Sequence, residues 1–166
     1  MDQLVAEISD TKVFNKIYVH YIGKLHLNLH SEKNYKLLID VARREKIQNN
    51  HTATHLLHQS LREIVGNHVS QKGSLVNEQK LRFDYTSNEP LSEDKIREIE
   101  FLVNSSIRSN IVSKIEHMPL KNAIQSGAIA LFGEKYPENV RVLSIKSDNQ
   151  IKSFVSVELC LSLIHI

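Results

Sequence analysis

Asn50-His51-Thr52-Ala53-Thr54-His55-Leu56-Leu57-His58 is the stretch on which the reading of this chain turns. His51 and His55 are spaced as neighbours on one face of a helix, near enough to share a tetrahedral ion. Far downstream, Glu158-Leu159-Cys160 carries the chain's one cysteine, and a distant thiolate can supply a third ligand. Imidazole nitrogen and thiolate sulfur are donors that zinc favours, so His51, His55 and Cys160 form the candidate metal set. The common zinc-protease motif is excluded: it needs a glutamate beside the first histidine as general base, and Thr52, Ala53 and Thr54 fill that gap. Taken alone, the same residues also describe polar groups on a helix surface and a cysteine filling the core.

Outward from this stretch, the pattern predicts a helix from about His51 to Val65, capped by Asn49 or Asn50 and closed by Gly66-Asn67. Ala53, Leu57, Leu61 and Ile64 form its apolar stripe, with His51, His55, His58 and Arg62 on roughly the opposite face, so the histidines are expected to stay out of the core. Leu81, Phe83 and Tyr85 alternate with Arg82 and Asp84 as in a half-buried strand. Ser92 caps a second predicted helix in which Ile96, Ile99, Val103 and Ile107 recur at helical spacing, with Leu91 placed to staple onto Ile96. A shorter helix over Leu120 to Ser126 stops at Gly127. Val140 to Ile145 and Phe154 to Leu159 read as strands joined by a Ser147-Asp148-Asn149-Gln150 turn, which puts Cys160 at the end of a core strand. Upstream, Val13 to Tyr21 and Lys36 to Val41 read as strands, with turns at Gly23 and Ser31-Glu32-Lys33-Asn34. The fold class expected is α+β, a mixed or antiparallel sheet with helices packed on it.

Composition sets the outer limits. A chain of 166 residues with 41% hydrophobic residues, 5 Gly and 3 Pro can bury one full core and reads as ordered and globular. One cysteine cannot form an internal disulfide, and no apolar run approaches the length of a membrane span. Met1-Asp2-Gln3-Leu4 lacks the basic start and apolar core of a secretion signal, so the cytosol is the expected compartment. A formal charge of +2 is too mild to identify a nucleic-acid binder, although the 9 histidines can add positive charge when protonated.

Four further motifs follow the histidine stretch in order: Gln71-Lys72-Gly73-Ser74-Leu75-Val76, Leu81-Arg82-Phe83-Asp84-Tyr85, Gly127-Ala128-Ile129-Ala130-Leu131-Phe132-Gly133-Glu134-Lys135-Tyr136, and Arg141-Val142 through to Glu158-Leu159-Cys160. Together the five resemble the editing domain of alanyl-tRNA synthetase and its free-standing relatives. Ser9-Asp10-Thr11-Lys12, Val19-His20 and Val41-Ala42-Arg43-Arg44 look like later strands of the small β-barrel that precedes this domain. The expected division is therefore 1–46 as the C-terminal part of a partial β-barrel and 47–160 as a zinc-dependent editing domain. The editing domain of threonyl-tRNA synthetase is a weaker resemblance, because the motifs at Gln71 and at Gly127 to Tyr136 favour the alanyl type.

The resemblance implies hydrolysis of the ester joining a wrong amino acid, serine or glycine, to the acceptor end of alanine tRNA. A synthetase pocket built for alanine cannot reject these strongly, so a second, hydrolytic site is needed. Zn2+ is implied at His51, His55 and Cys160. Thr54 is the candidate for recognising serine's hydroxyl; its other reading is a helix hydroxyl bonded to the preceding turn. Gln71 takes the active-site glutamine position, where it can donate to the scissile carbonyl or orient water but cannot act as a base. Gly73 permits close backbone approach of the tRNA end, and Arg82 and Lys135 are candidate phosphate contacts. His58 is expected to line the pocket or support a ligand rather than bind the ion. Nothing resembles an ATP site, so ATP binding and ligation belong to an aminoacylation domain elsewhere in a parent synthetase. A free-standing deacylase and an inactive tRNA-binding fragment are the alternatives; neither DNA nor a membrane is an expected partner.

The tail departs from the family, which continues Gly-Gly-Thr-His after Cys160 and draws its fourth zinc ligand from that histidine. Here Leu161-Ser162-Leu163-Ile164-His165-Ile166 follows, with His165 one place late. The hexapeptide translates CTG TCT CTT ATA CAC ATC, a transposase mosaic end used in preparing sequencing libraries, so 161–166 is expected to be an artefact and is set aside from the fold.

Overall fold

The computed structural model describes residues 3–130, 135–146 and 155–160. The chain divides into two compact units between Ile39 and Asp40. In the first, β1 (Ala6–Phe14) and β2 (Ile17–Leu25) form an antiparallel hairpin. Asn15 and Lys16, at φ 49° and 68°, make the two-residue left-handed turn that suits the twist of a hairpin. The strand predicted over Val13 to Tyr21 is therefore folded back on itself at its third and fourth residues. Gly23 lies within β2 rather than in a turn, and Lys36 to Ile39 form no strand. No closed barrel exists among the described residues, and the ribbon leaves Phe14, Ile17, Tyr18 and Leu25 exposed.

The second unit begins with α1 (Val41–Ile64), ten residues ahead of the predicted start. Asp40 is its N-cap, accepting from the Arg43 amide at 2.9 Å. Asn50 instead lies inside the helix, where its Nδ2 donates to the Asn77 carbonyl at 2.7 Å. α1 ends at Val65, followed by Gly66 at φ 135°.

The expectation that the histidines avoid the core is overturned: His51, His55 and His58 are all buried. α1 has packing partners on more than one side. Leu61 joins Val69 and Ile99 in one apolar cluster, while Leu56 joins Leu143, Ile145 and Cys160 in another. Each such side chain contributes roughly 1.5–3 kcal/mol on full burial. The histidines between these clusters are covered because polar partners meet them there.

β3 (Gln71–Val76) and β4 (Leu81–Tyr85) form a second antiparallel ribbon, with a register shift between Gln71 and Gly73. α2 (Glu93–Arg108) starts at Ser92, whose hydroxyl accepts from the Lys95 amide. Its buried face is Ile99, Leu102 and Ser106, so the predicted stripe is rotated: Ile96 and Ile107 are exposed. Leu91 packs on the Leu61, Val69 and Ile99 cluster.

β5 (Val112–Pro119), α3 (Leu120–Gln125), β6 (Asn139–Lys146) and β7 (Val155–Leu159) complete the unit. Gly127, at φ 85°, follows α3 as predicted. The sheet order is β5-β6-β7, all antiparallel, and an isolated parallel bridge joins Ile129 to Glu158. Val140, Val142 and Leu159 pack against Ala123 and Ala128 on one face of this sheet. The architecture is α+β. The predicted turn at 147–150, part of the Gly127 to Tyr136 motif and the 161–166 tail lie outside the described residues. Among those residues no helix is long and apolar enough to cross a membrane.

Candidate metal centre

β7 delivers its side chains with period two, so Glu158 and Ser156 share a strand face, and Cys160 continues the same alternation just past the strand end. The backbone around them is pinned: the Leu159 amide donates to the Ile129 carbonyl and the Cys160 amide to the Arg141 carbonyl, both at 3.0 Å. From the other side α1 offers His51 and His55, one turn apart, with ring centroids 4.7 Å apart in an edge-on arrangement. One ligand atom from each of His51, His55 and Cys160 lies within 4.8 Å of the others. The Cys160 Sγ to His51 Nε2 distance is 3.5 Å. Nitrogen and sulfur bound to one tetrahedral zinc at ~2.0 and ~2.3 Å sit about 3.5 Å apart, so this edge already has the required length.

A test of fit comes from His55. Its Nδ1 meets Glu158 Oε2 at 2.7 Å, yet its Nε2 is buried with no hydrogen-bond partner among the described residues. A buried polar atom without a partner is costly, and a cation among these three donors would satisfy it. The donor set therefore fits a metal ion.

Electrostatics agree with that chemistry. Burial opposes charge on Cys160, but its contacts with His51 and His55 prevail and lower the thiol to about 5. Burial likewise opposes a charged His55, but contacts with Cys160 and Glu158 raise it to about 9. Glu158, also penalised by burial, is held down to about 2 by hydrogen bonds from His55 and His58. Without metal, the centre is thus a thiolate and a carboxylate facing an imidazolium.

The remaining predicted residues fall in three places. Thr54 is buried on α1, and its Oγ1 donates to the Asn50 carbonyl at 2.9 Å, the within-helix bond foreseen as its other reading. Gln71, Gly73 and Arg82 lie together on the β3–β4 ribbon. Gln71 Nε2 donates to Ser74 Oγ at 3.0 Å, and Arg82 Nε pairs with Asp84 Oδ1 at 3.1 Å. Gly73 lies opposite Asp84, and a Cβ there would come within 2.8 Å of Asp84 Oδ2. What approaches this glycine within the chain is a carboxylate. Lys135 is exposed.

No family model matches the chain. Over 160 residues, 96% of its length, it is 42% identical to the alanine--tRNA ligase of Fusobacterium nucleatum subsp. nucleatum. Over 150 residues, 90% of its length, it is 45% identical to the alanine--tRNA ligase of Pseudoalteromonas translucida. The chain is homologous to a segment of alanine--tRNA ligase. It spans 18% and 16% of the lengths of these two relatives.

The sequence motif that ends at Cys160 contains Glu158, and no role was expected of it. The structure places it under both histidines: Oε2 on His55 Nδ1, and Oε1 on His58 Nδ1 at 3.1 Å and on the Ser156 hydroxyl at 3.1 Å. The signal was available in the alternation Ser156, Glu158, Cys160, which puts the carboxylate on the same side as the thiol. His58 supports Glu158 and lies tilted against Phe83, with ring centroids 5.2 Å apart.

Proposed function

We propose that this chain carries the editing activity of an alanine--tRNA ligase, hydrolysing the ester of serine or glycine wrongly attached to alanine tRNA. The observation that supports it most is the meeting of His51 and His55 with Cys160, more than a hundred positions away, around a His55 Nε2 that has no partner among the described residues. The name alanine--tRNA ligase, carried by both relatives, favours a ligase segment over a free-standing deacylase.

Zinc is the ion the two imidazoles and one thiolate suit, and when bound it would polarise the ester or water, or hold the pocket in shape. The chain's own residues do the sorting. Thr54 spends its proton on Asn50, but its oxygen can still accept, so serine's hydroxyl finds a partner that alanine would leave unpaired. Gln71, an amide without useful basicity, orients the scissile carbonyl or the attacking water. Gly73, Arg82 and Lys135 bind the acceptor end of the tRNA, where a guanidinium and an ammonium suit phosphate.

In this reading 47–160 is the editing domain, and 1–46, which contains the β1–β2 hairpin, belongs to a partial β-barrel. ATP-dependent ligation belongs to the rest of the parent ligase, and the cytoplasm is its compartment. The test is deacylation by the chain with Gly-Gly-Thr-His placed after Cys160. Seryl-tRNA with the alanine acceptor stem should be hydrolysed much faster than the alanyl ester, and His51→Ala should abolish the difference. Equal rates on the two esters before any substitution refute the reading.

A further inference from the structure

Glu158 is buried at 6% exposure between two histidines of α1, and each of its oxygens is engaged. Oε2 takes His55 Nδ1; Oε1 is shared by His58 Nδ1 and the Ser156 hydroxyl. An ionised carboxylate only accepts, so His55 presents Nδ1–H to it, and Nε2 is the nitrogen left to bind a metal once its own proton is released. One ring nitrogen of His55 lies within 4.8 Å of the ligand atoms of Cys160 and His51, and Nδ1 is already engaged by Glu158. Rotation of the His55 ring about its own axis is blocked by the 2.7 Å contact, and rotation of the carboxylate is blocked by the two partners on its other oxygen.

We propose that Glu158 is the positioning residue of this centre: one carboxylate, steadied by His58 and Ser156, sets the tautomer and rotation of His55 so that its Nε2 is presented to a metal ion. Partners that orient a ligating histidine are worth roughly 10–100-fold in metal affinity. His58 in this account is a brace, not a ligand. The inference rests on the metal reading above but names a residue outside the ligand set.

A merely structural ion pair would make a different prediction, since losing it would lower the melting temperature of the metal-free chain without changing the affinity of folded molecules for metal. Zn2+ affinity of the full chain, read by competition with a chromogenic chelator, separates the two. Glu158→Gln keeps the shape but offers an amide nitrogen to one ring, which must then flip or lose its bond; a loss of roughly 10–100-fold is expected. Co2+ loaded in place of zinc should show a shifted visible spectrum in the same variant, reporting a reoriented ligand. Glu158→Asp retains two acceptors on a shorter arm, so its affinity should lie between the two; it also serves if the glutamine variant does not fold. Ser156→Ala should lose only a few-fold. Folded Glu158→Gln or Glu158→Asp protein that binds Zn2+ within twofold of the parent overturns the inference while leaving the metal reading intact. A parent chain with no measurable Zn2+ affinity overturns the metal reading itself.

Discussion

Loading a metal ion must expel the proton that His55 carries in the metal-free chain. With His55 raised to about 9 and Cys160 lowered to about 5, at pH 7 roughly 99% of His55 is protonated and roughly 99% of Cys160 is already thiolate. Of these two ligands only the imidazole competes with the metal for a proton. The apparent association constant should therefore rise about tenfold per pH unit from their contribution, about a hundredfold between pH 6 and pH 8. It should level off near the His55 value of about 9 and steepen below the Cys160 value of about 5. Zn2+ competition titrations across this range measure the slope, and calorimetry in two buffers of different ionisation enthalpy counts the proton directly. A flat affinity from pH 6 to pH 8 would show that His55 is neutral before metal arrives. A rise of about ten-thousandfold would show that the thiol is protonated too, and either result refutes the charge arrangement derived from the buried contacts.

Thr54→Val removes one hydroxyl and keeps shape, so it should narrow the preference for the seryl over the alanyl ester. Because Thr54 already bonds Asn50, what is lost is one net hydrogen bond to serine's hydroxyl, about 0.5–1.5 kcal/mol, so the ratio should fall by roughly 2- to 13-fold in comparative deacylation rates. Glu158 has a lowered pKa, so its stabilising effect is full above the ordinary carboxylate value of 4.5 and is lost as pH falls toward about 2. Thermal melts of the metal-free chain should show that acid loss, and Glu158→Gln should flatten it. Gly73→Ala meets only the end of the exposed Asp84 side chain, which can swing aside, so the melting temperature should move by no more than a few degrees, about 0.5 kcal/mol. A fall in deacylation out of proportion to that shift would place the tRNA end against Gly73, and unchanged turnover would remove it from the site. Replacing 161–164 by Gly-Gly-Thr-His should convert zinc that is substoichiometric after mild dialysis into full occupancy; full occupancy without the replacement would show that the fourth ligand is dispensable.

The elements legible in the sequence were those with strong local signals. Ser92 opens α2 and Gly127 closes α3 because capping chemistry depends on single residues. The start of α1 was missed because Val41-Ala42-Arg43-Arg44 resembles a barrel strand, whereas these residues are the first turn of the helix, and the polar run Arg43-Arg44-Glu45-Lys46 has no apolar period to mark it. The β1–β2 turn was missed because Asn15-Lys16 lacks glycine, although asparagine tolerates the left-handed region well. β5 hid for a third reason: it lies at the edge of its sheet, and Val112, Lys114 and Ile115 are exposed, so no alternation of apolar and polar residues announces it.

The metal set was legible because ligand spacing is a local property of α1 and the thiol was unique, whereas the support beneath it depends on tertiary contact. Treating His51, His55 and His58 as an outward polar face equated polarity with exposure. That equation fails wherever a buried partner satisfies the polar atoms, and Glu158, a hundred residues away from His58 in the chain, is that partner. A histidine face with no carboxylate opposite it belongs in water; the same face opposite Ser156, Glu158 and Cys160 belongs inside. Deciding between them from sequence requires pairing α1 with β7 before reading either one, and the cue for the pairing is that the strand presents a carboxylate and a thiol two residues apart, matching two imidazoles one turn apart.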